Sequence, residues 1–229
     1  MAVSRSRAAL EESVEKPPRR VPAQRSRTRE RHIERIVGVA TKLFASNGFD
    51  NTGMASLCDA LDMGRGHLYN LIGTKENLLW LIFDRLTSDL IEEAERIRQL
   101  GAPPPERLRL YMRHLIEYCA RRTDEVHMVR VERRALSPEH QRLGKATQRK
   151  YQGMWEDALR EGNETGDFDV SDPKLLAMGL LGMCNETHVW FHTRGRLGAE
   201  QIADAYADAV LAGIQARPRL VKSTSKRAR

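Results

Sequence analysis

The sequence predicts an all-α protein of about nine helices, on three observations. From Arg29 onward the apolar residues recur at three- and four-residue spacing, the period of an amphipathic helix. Almost no stretch alternates as a half-buried strand does. Helix start and stop signals also stand where that spacing pauses.

The elements follow in order. A first helix is expected from about 29 to 46, with Ile33, Ile36, Val37, Ala40, Leu43 and Phe44 on one face. Asn47-Gly48 stops it, because both tolerate the left-handed conformation that ends helices. Thr52 is placed to cap a short second helix with Met54, Leu57, Cys58 and Leu61 inside. Asp62-Met63-Gly64 reads as a tight turn, and a third short helix over 65–72 buries Leu68 and Ile72. Thr74 then caps a long helix that runs through Leu79, Ile82, Phe83, Leu86, Leu90, Ala94 and Ile97. After a break at Gly101, further helices are expected at about 105–121, 124–135, 138–161, 173–192 and 199–216. Pro173, following Ser171-Asp172, marks one of these starts.

The 229 residues suffice for one medium domain or two small ones sharing a core. With 41% hydrophobic and 30% charged residues the composition is that of a soluble globular protein. No apolar run approaches the roughly 18 residues that span a bilayer. The N-terminus lacks the apolar stretch of a signal peptide, so a cytoplasmic location and no membrane partner are expected. Cys58, Cys119 and Cys184 are far apart and odd in number, and each sits within an apolar helical pattern. They read as buried free thiols in a reducing compartment.

The net charge of +7 belongs to the two ends. Residues 1–29 hold eight Lys/Arg against three Glu, and residues 217–229 hold six Lys/Arg and no acid. A basic arm at 1–28 and a basic tail at 217–229, both too poor in large apolar residues to build a core, read as disordered. Each is either a phosphate-attracting segment or a solvating tail.

Two short helices joined by a three- or four-residue turn have the size of a DNA-binding helix-turn-helix, or of an ordinary helical hairpin. The outer face of 65–72 carries Arg65, Gly66, His67, Tyr69 and Asn70. Arginine can donate to guanine or phosphate, and asparagine can pair bidentately with adenine. The glycine lets backbone approach a duplex closely.

A family resemblance decides between the two. Phe44-Ala45-Ser46-Asn47-Gly48-Phe49, Thr52, then Gly66-His67-Leu68-Tyr69 and Thr74-Lys75-Glu76-Asn77-Leu78 resemble the signature of the TetR family of transcriptional repressors in order and spacing. The resemblance implies that 29–76 is a three-helix DNA-binding domain and that 65–72 enters the major groove. It also implies that Thr52, Tyr69 and Lys75 hold phosphates, which suits Thr52 and Lys75 at helix N-termini. Asp62 stands where the family has a turn glycine, Gly64 where it has a capping serine, and Leu71-Ile72 where it has an aromatic pair. Residues 30–83 hold five Lys/Arg and six Asp/Glu, so phosphate attraction is expected from the arm.

The resemblance further implies that 77–216 is a helical bundle that binds a small molecule and forms a homodimer. Methionines at Met112, Met128, Met154, Met178 and Met183 suit either a pocket for a flexible apolar ligand or plain core filling. The last helix is rich in small residues (Ala203, Ala205, Ala207, Ala209, Ala212, Gly213), which lets helices approach closely. With 173–192 it would form a four-helix two-fold interface and present two reading helices to a palindromic operator. Arg130-Val131-Glu132-Arg133-Arg134, Tyr151-Gln152-Gly153-Met154-Trp155 and Val189-Trp190-Phe191 resemble the branch that responds to acyl-CoA thioesters. That resemblance puts Met112, Arg130, Met154, Trp155, Met183, Trp190 and Arg194 forward as ligand-binding residues. Val189 stands where many members of the branch have arginine.

His188 and His192, four apart with Glu186 nearby, have a metal-compatible spacing but no third ligand to match, so they read as a pocket or interface pair. No metal and no cofactor are expected. Without a nucleophile elbow, a phosphate-cradling glycine loop or a metal triad, an enzyme is not expected either. The expectation is a repressor released from its operator by a small apolar effector. The alternative is an architectural DNA binder with little sequence preference.

Overall fold

The computed structural model describes residues 22–216. The tail at 217–229 and most of the expected arm lie outside these residues. The described part of that arm, 22–28, is helical. Helix α1 runs Pro22–Asn47 rather than from about 29. Proline suits a first helical turn, and the Ala, Gln and Arg that follow are good helix formers. Gly48 ends α1 at φ +83°.

Helices α2 (Met54–Leu61) and α3 (Arg65–Ile72) complete the head, and Asp62 turns the chain between them in the left-handed region. The expected cap at Thr52 is not made. Gly53 occupies the N-cap of α2 without a side-chain bond. The Thr52 hydroxyl instead donates to the carbonyls of Leu43 (3.3 Å), in the last turns of α1, and of Gly48 (2.8 Å), just after it. Helix α4 (Lys75–Gln99) starts as expected, the Thr74 hydroxyl accepting from the Asn77 amide.

The body follows as α5 (Pro104–Arg121), α6 (Thr123–Glu132), a 3-10 turn (Arg133–Ala135), α7 (Pro138–Thr165), α8 (Pro173–Asn185), α9 (Thr187–Trp190) and α10 (Ala199–Ile214). Helix α7 outruns its expected end at 161 because Gly162 continues the helix. A Cβ there would come within 2.0 Å of the Phe168 ring, so only glycine lets the two pack. The expected single helix at 173–192 breaks at Glu186, giving ten α-helices among the described residues. Side chains cause the break by taking main-chain carbonyls. The Asn185 amide donates to Leu181, the Thr187 hydroxyl to Cys184, and the His188 ring to Asn185. No strand forms among the described residues, only an isolated bridge between Phe168 and Gln215.

Two cores result. The first joins α1–α4 and is completed from the body by Met128 and Val129 of α6, with Tyr118 and Leu136. The second lies among the end of α4, α5, α7, α8 and α10, centred on Trp155, Tyr111, Met112 and Leu115. Helix α4 therefore belongs to both, and α6 crosses the expected boundary at 77 to pack against the head. Helices α5 and α10 are laced by ion pairs, Arg109 to Asp208 (2.6 Å) and Arg113 to Asp204 (2.5 Å). No helix of the described residues is long and apolar enough to cross a membrane.

Candidate functional site

Helix α3 presents one outward face built from the residues the sequence picks out. Arg65, Gly66, His67, Tyr69 and Asn70 are exposed, while Leu68 and Ile72 are buried against the head core. The Arg65 and Asn70 side chains form no hydrogen bond or ion pair within the described residues, so their donors and acceptors are available to a duplex. A Cβ on Gly66 would meet nothing within 4 Å, so no internal packing calls for glycine there. Helices α2 and α3 are held from behind. Arg35 of α1 donates to the Leu61 carbonyl (2.9 Å), and Arg29 reaches the Leu71 carbonyl (3.4 Å). His32 of α1 meets His67 edge to face at 5.7 Å between centroids.

Two expected phosphate ligands point inward. Thr52 is buried with its hydroxyl committed to main-chain acceptors of α1 and the turn after it. The Lys75 ammonium donates to the Phe49 carbonyl at 2.9 Å and stands 4.2 Å over the Phe49 ring. Tyr69 alone of the three is free-standing, 47% exposed. The sequence reading missed the partner of that inward turn: the Phe49 amide donates to Glu132 of α6 at 3.3 Å. No local pattern signals a contact between residues so far apart in the chain.

In the body the expected ligand residues separate into four places. Met112 and Trp155 are wholly buried in the second core, with Met154 and Met183 packed against its edge. Trp190 is 43% exposed and lines a groove of about 330 Å³ with Phe191, His192, Leu197, Ile202 and Tyr206. Arg130 pairs with Glu186 at 2.5 Å, and Arg194 is exposed in the connection before α10. His188 and His192 do not share a helix face, because α9 ends at Trp190. His188 is buried and faces His127 across 6.0 Å, whereas His192 is exposed.

The second core also holds polar groups that apolar spacing did not reveal. Burial pushes the Cys119 thiol up to about 12 and raises Cys184 and Tyr151 as well. Both cysteines are thus protonated, inert thiols, as expected of buried free cysteines. The His188 Nδ1 donates to the Asn185 carbonyl at 2.5 Å, and its Nε2 is buried without a partner among the described residues. The Cys119 sulfur stands 3.9 Å from the Asn185 side-chain oxygen.

A short exposed helix braced by two others, ahead of a helical body with its own core, defines a helix-turn-helix regulator. Comparison with known proteins agrees. Residues 36–80 match the model of the tetR family of bacterial regulatory proteins, and residues 101–214 match that of the tetracyclin repressor-like C-terminal domain. The chain belongs to the TetR family, and is a transcriptional regulator rather than an enzyme. It is 26% identical over 183 residues to the HTH-type transcriptional repressor KstR2 of Mycolicibacterium smegmatis, covering 79% of this chain and 89% of that one. The solved structure of AibR in complex with isovaleryl coenzyme A and operator DNA is 33% identical, with a TM-score of 0.69, over 77% of this chain and 96% of that chain. PfmR from Thermus thermophilus, a TetR family regulator, is 29% identical with a TM-score of 0.72, over 78% and 97% of the two chains.

Proposed function

We propose that this protein is a cytoplasmic, ligand-responsive repressor that binds a palindromic operator as a homodimer and is released by a small apolar effector of the acyl-CoA class. The observation that carries the reading is the outer face of α3, where Arg65, Gly66, Tyr69 and Asn70 are exposed and no internal contact accounts for them. Arg65 and Asn70 read base edges, and Tyr69 places a hydroxyl on the phosphate backbone. The extension of α1 adds the exposed Arg27, one turn before the exposed Arg31, to a head that is otherwise almost neutral.

Dimerisation rests on α8 and α10. Leu175 and Met178 of α8 are 64% and 51% exposed, and α10 contributes its run of small residues. An isologous pairing of these helices covers that apolar surface and sets two copies of α3 on one face. The effector is assigned to the second core, which holds Met112 and Trp155 and has Met154 and Met183 packed against it. The AibR complex, which holds both isovaleryl coenzyme A and operator DNA, supports the effector class.

The test is fluorescence anisotropy on an operator selected from a random duplex library. Isovaleryl-CoA and a series of longer acyl-CoA thioesters are titrated into the complex. At least one thioester is expected to release the DNA while free coenzyme A does not. If none of the series changes operator affinity, the effector class is wrong. Equal affinity for random duplex would instead favour the architectural alternative.

A further inference from the structure

Helix α6 is fastened at both ends to different parts of the molecule. Toward the head, Met128 and Val129 pack into the first core and Glu132 accepts from the Phe49 amide (3.3 Å). Toward the body, Arg130 pairs with Glu186 (2.5 Å) at the break between α8 and α9, and His127 faces His188. Phe49 itself sits in the turn that leaves α1, with its ring against Phe44 (5.1 Å) and beneath the Lys75 ammonium. Its carbonyl is the acceptor that turns Lys75 inward (2.9 Å).

We propose that Glu132 is a positioning residue for DNA binding: by holding the Phe49 turn it keeps the Lys75 ammonium bonded inside the head and away from phosphate. This rests on the reading of α1–α4 as the DNA-binding head. With the Phe49 amide released, the turn shifts, its carbonyl no longer fixes Lys75, and the cation swings toward the duplex at the N-terminus of α4. The Arg130–Glu186 pair ties the same helix to the α8–α9 break, beside the buried groups of the second core. Any rearrangement there therefore reaches Lys75 through α6.

The experiment compares the full chain with Glu132→Ala, Glu132→Gln and the double variant Glu132→Ala/Lys75→Gln. Amide hydrogen exchange is read at Phe49. The salt dependence of binding is read on a mixed-sequence duplex of about 30 base pairs, where each phosphate newly neutralised steepens the log–log slope by about 0.9. Glu132→Ala is expected to speed exchange at Phe49 on the order of tenfold and to steepen the slope by about 0.9 for each protomer bound, about 1.8 for a dimer. Glu132→Gln keeps an acceptor oxygen and should match the parent in both, which separates the clamp from a mere change of charge. The double variant should lose the steepening. Unchanged exchange at Phe49 in Glu132→Ala overturns the clamp, as does a glutamine variant that behaves like the alanine one. A steepening that survives Lys75→Gln overturns the role of Lys75. If the parent binds no duplex at all, it is the DNA-binding reading that fails, and the exchange data still decide the clamp.

Discussion

Arg35 of α1 donates to the carbonyl of Leu61, the last residue of α2, at 2.9 Å, and the next residue, Asp62, takes the left-handed conformation at φ +49°. One bond and one strained residue together set the angle between α2 and the reading helix. Asp62→Gly should relieve the strain and stabilise the protein by about 0.5–1 kcal/mol, whereas Arg35→Ala should cost about 1 kcal/mol. Thermal unfolding followed by circular dichroism checks both signs. A lower midpoint for Asp62→Gly would mean that the aspartate side chain contributes more than its backbone costs.

Arg107 of α5 grips Glu161 of α7 with two bonds, at 2.6 and 3.0 Å, and also donates to the Ala102 carbonyl. The Arg107 guanidinium holds the Glu161 carboxyl below its ordinary value of about 4.5. A depressed carboxylate contributes stability that is present above the unfolded value and is lost as pH falls through the folded one. Glu161 is 46% exposed on its side chain, so solvent screens the pair. Arg107→Ala should therefore cost about 1–2 kcal/mol at neutral pH. The cost of Glu161→Gln should be full at neutral pH and shrink as pH falls from the ordinary value of about 4.5 through the lower folded one. Urea unfolding across that pH range measures it, and a cost independent of pH would contradict the pairing.

Gly66→Ala separates stability from recognition. Nothing lies within 4 Å of the added methyl group, and alanine is the better helix former by about 1 kcal/mol. The unfolding midpoint should hold or rise. Operator affinity should fall by about tenfold, within the 1–3 kcal/mol that a good base contact carries, because the methyl group blocks close approach to the duplex. Unaltered affinity would show that the backbone of α3 stays clear of DNA at this point.

Arg27 and Arg31 stand one helical turn apart on the exposed side of α1. If both neutralise phosphates in each protomer of the dimer, replacing them with glutamine should flatten the log–log salt slope of operator binding by about 3.6, roughly 0.9 for each of the four. The measurement is a series of binding isotherms at increasing salt. An unchanged slope would remove this stretch of α1 from the interface.

The legible parts of this fold are those governed by neighbours in sequence. The register of α3 follows from Leu68 and Ile72 one turn apart, and its limits from Gly64 and Gly73. The stop at Asn47-Gly48 and the cap at Thr74 are equally local. The break at Glu186 was hidden, because apolar residues continue through Val189 and Trp190 while Asn185, Thr187 and His188 divert the main-chain carbonyls. Thr52 and Lys75 stood in the right places but face acceptors of the Gly48–Phe49 turn, a choice that only the packed head determines. Glu132, which braces that turn from α6, has no local signature at all. The ligand residues fared similarly: the methionines and Trp155 converge, but Trp190 and the arginines lie elsewhere, since helix spacing says which face is apolar and not which helices meet.

The central claim is that α3 reads sequence. Selection from a random duplex library by the full chain, repeated with Asn70→Ala, tests it most directly. The parent should enrich a two-fold symmetric sequence whose half-site centres are about one helical turn, roughly 10 base pairs, apart or a multiple of that. Asn70→Ala should lose preference at one symmetric pair of positions, at a cost of about 1–3 kcal/mol. Enrichment of no sequence by the parent, or an identical preference in the variant, would contradict the claim.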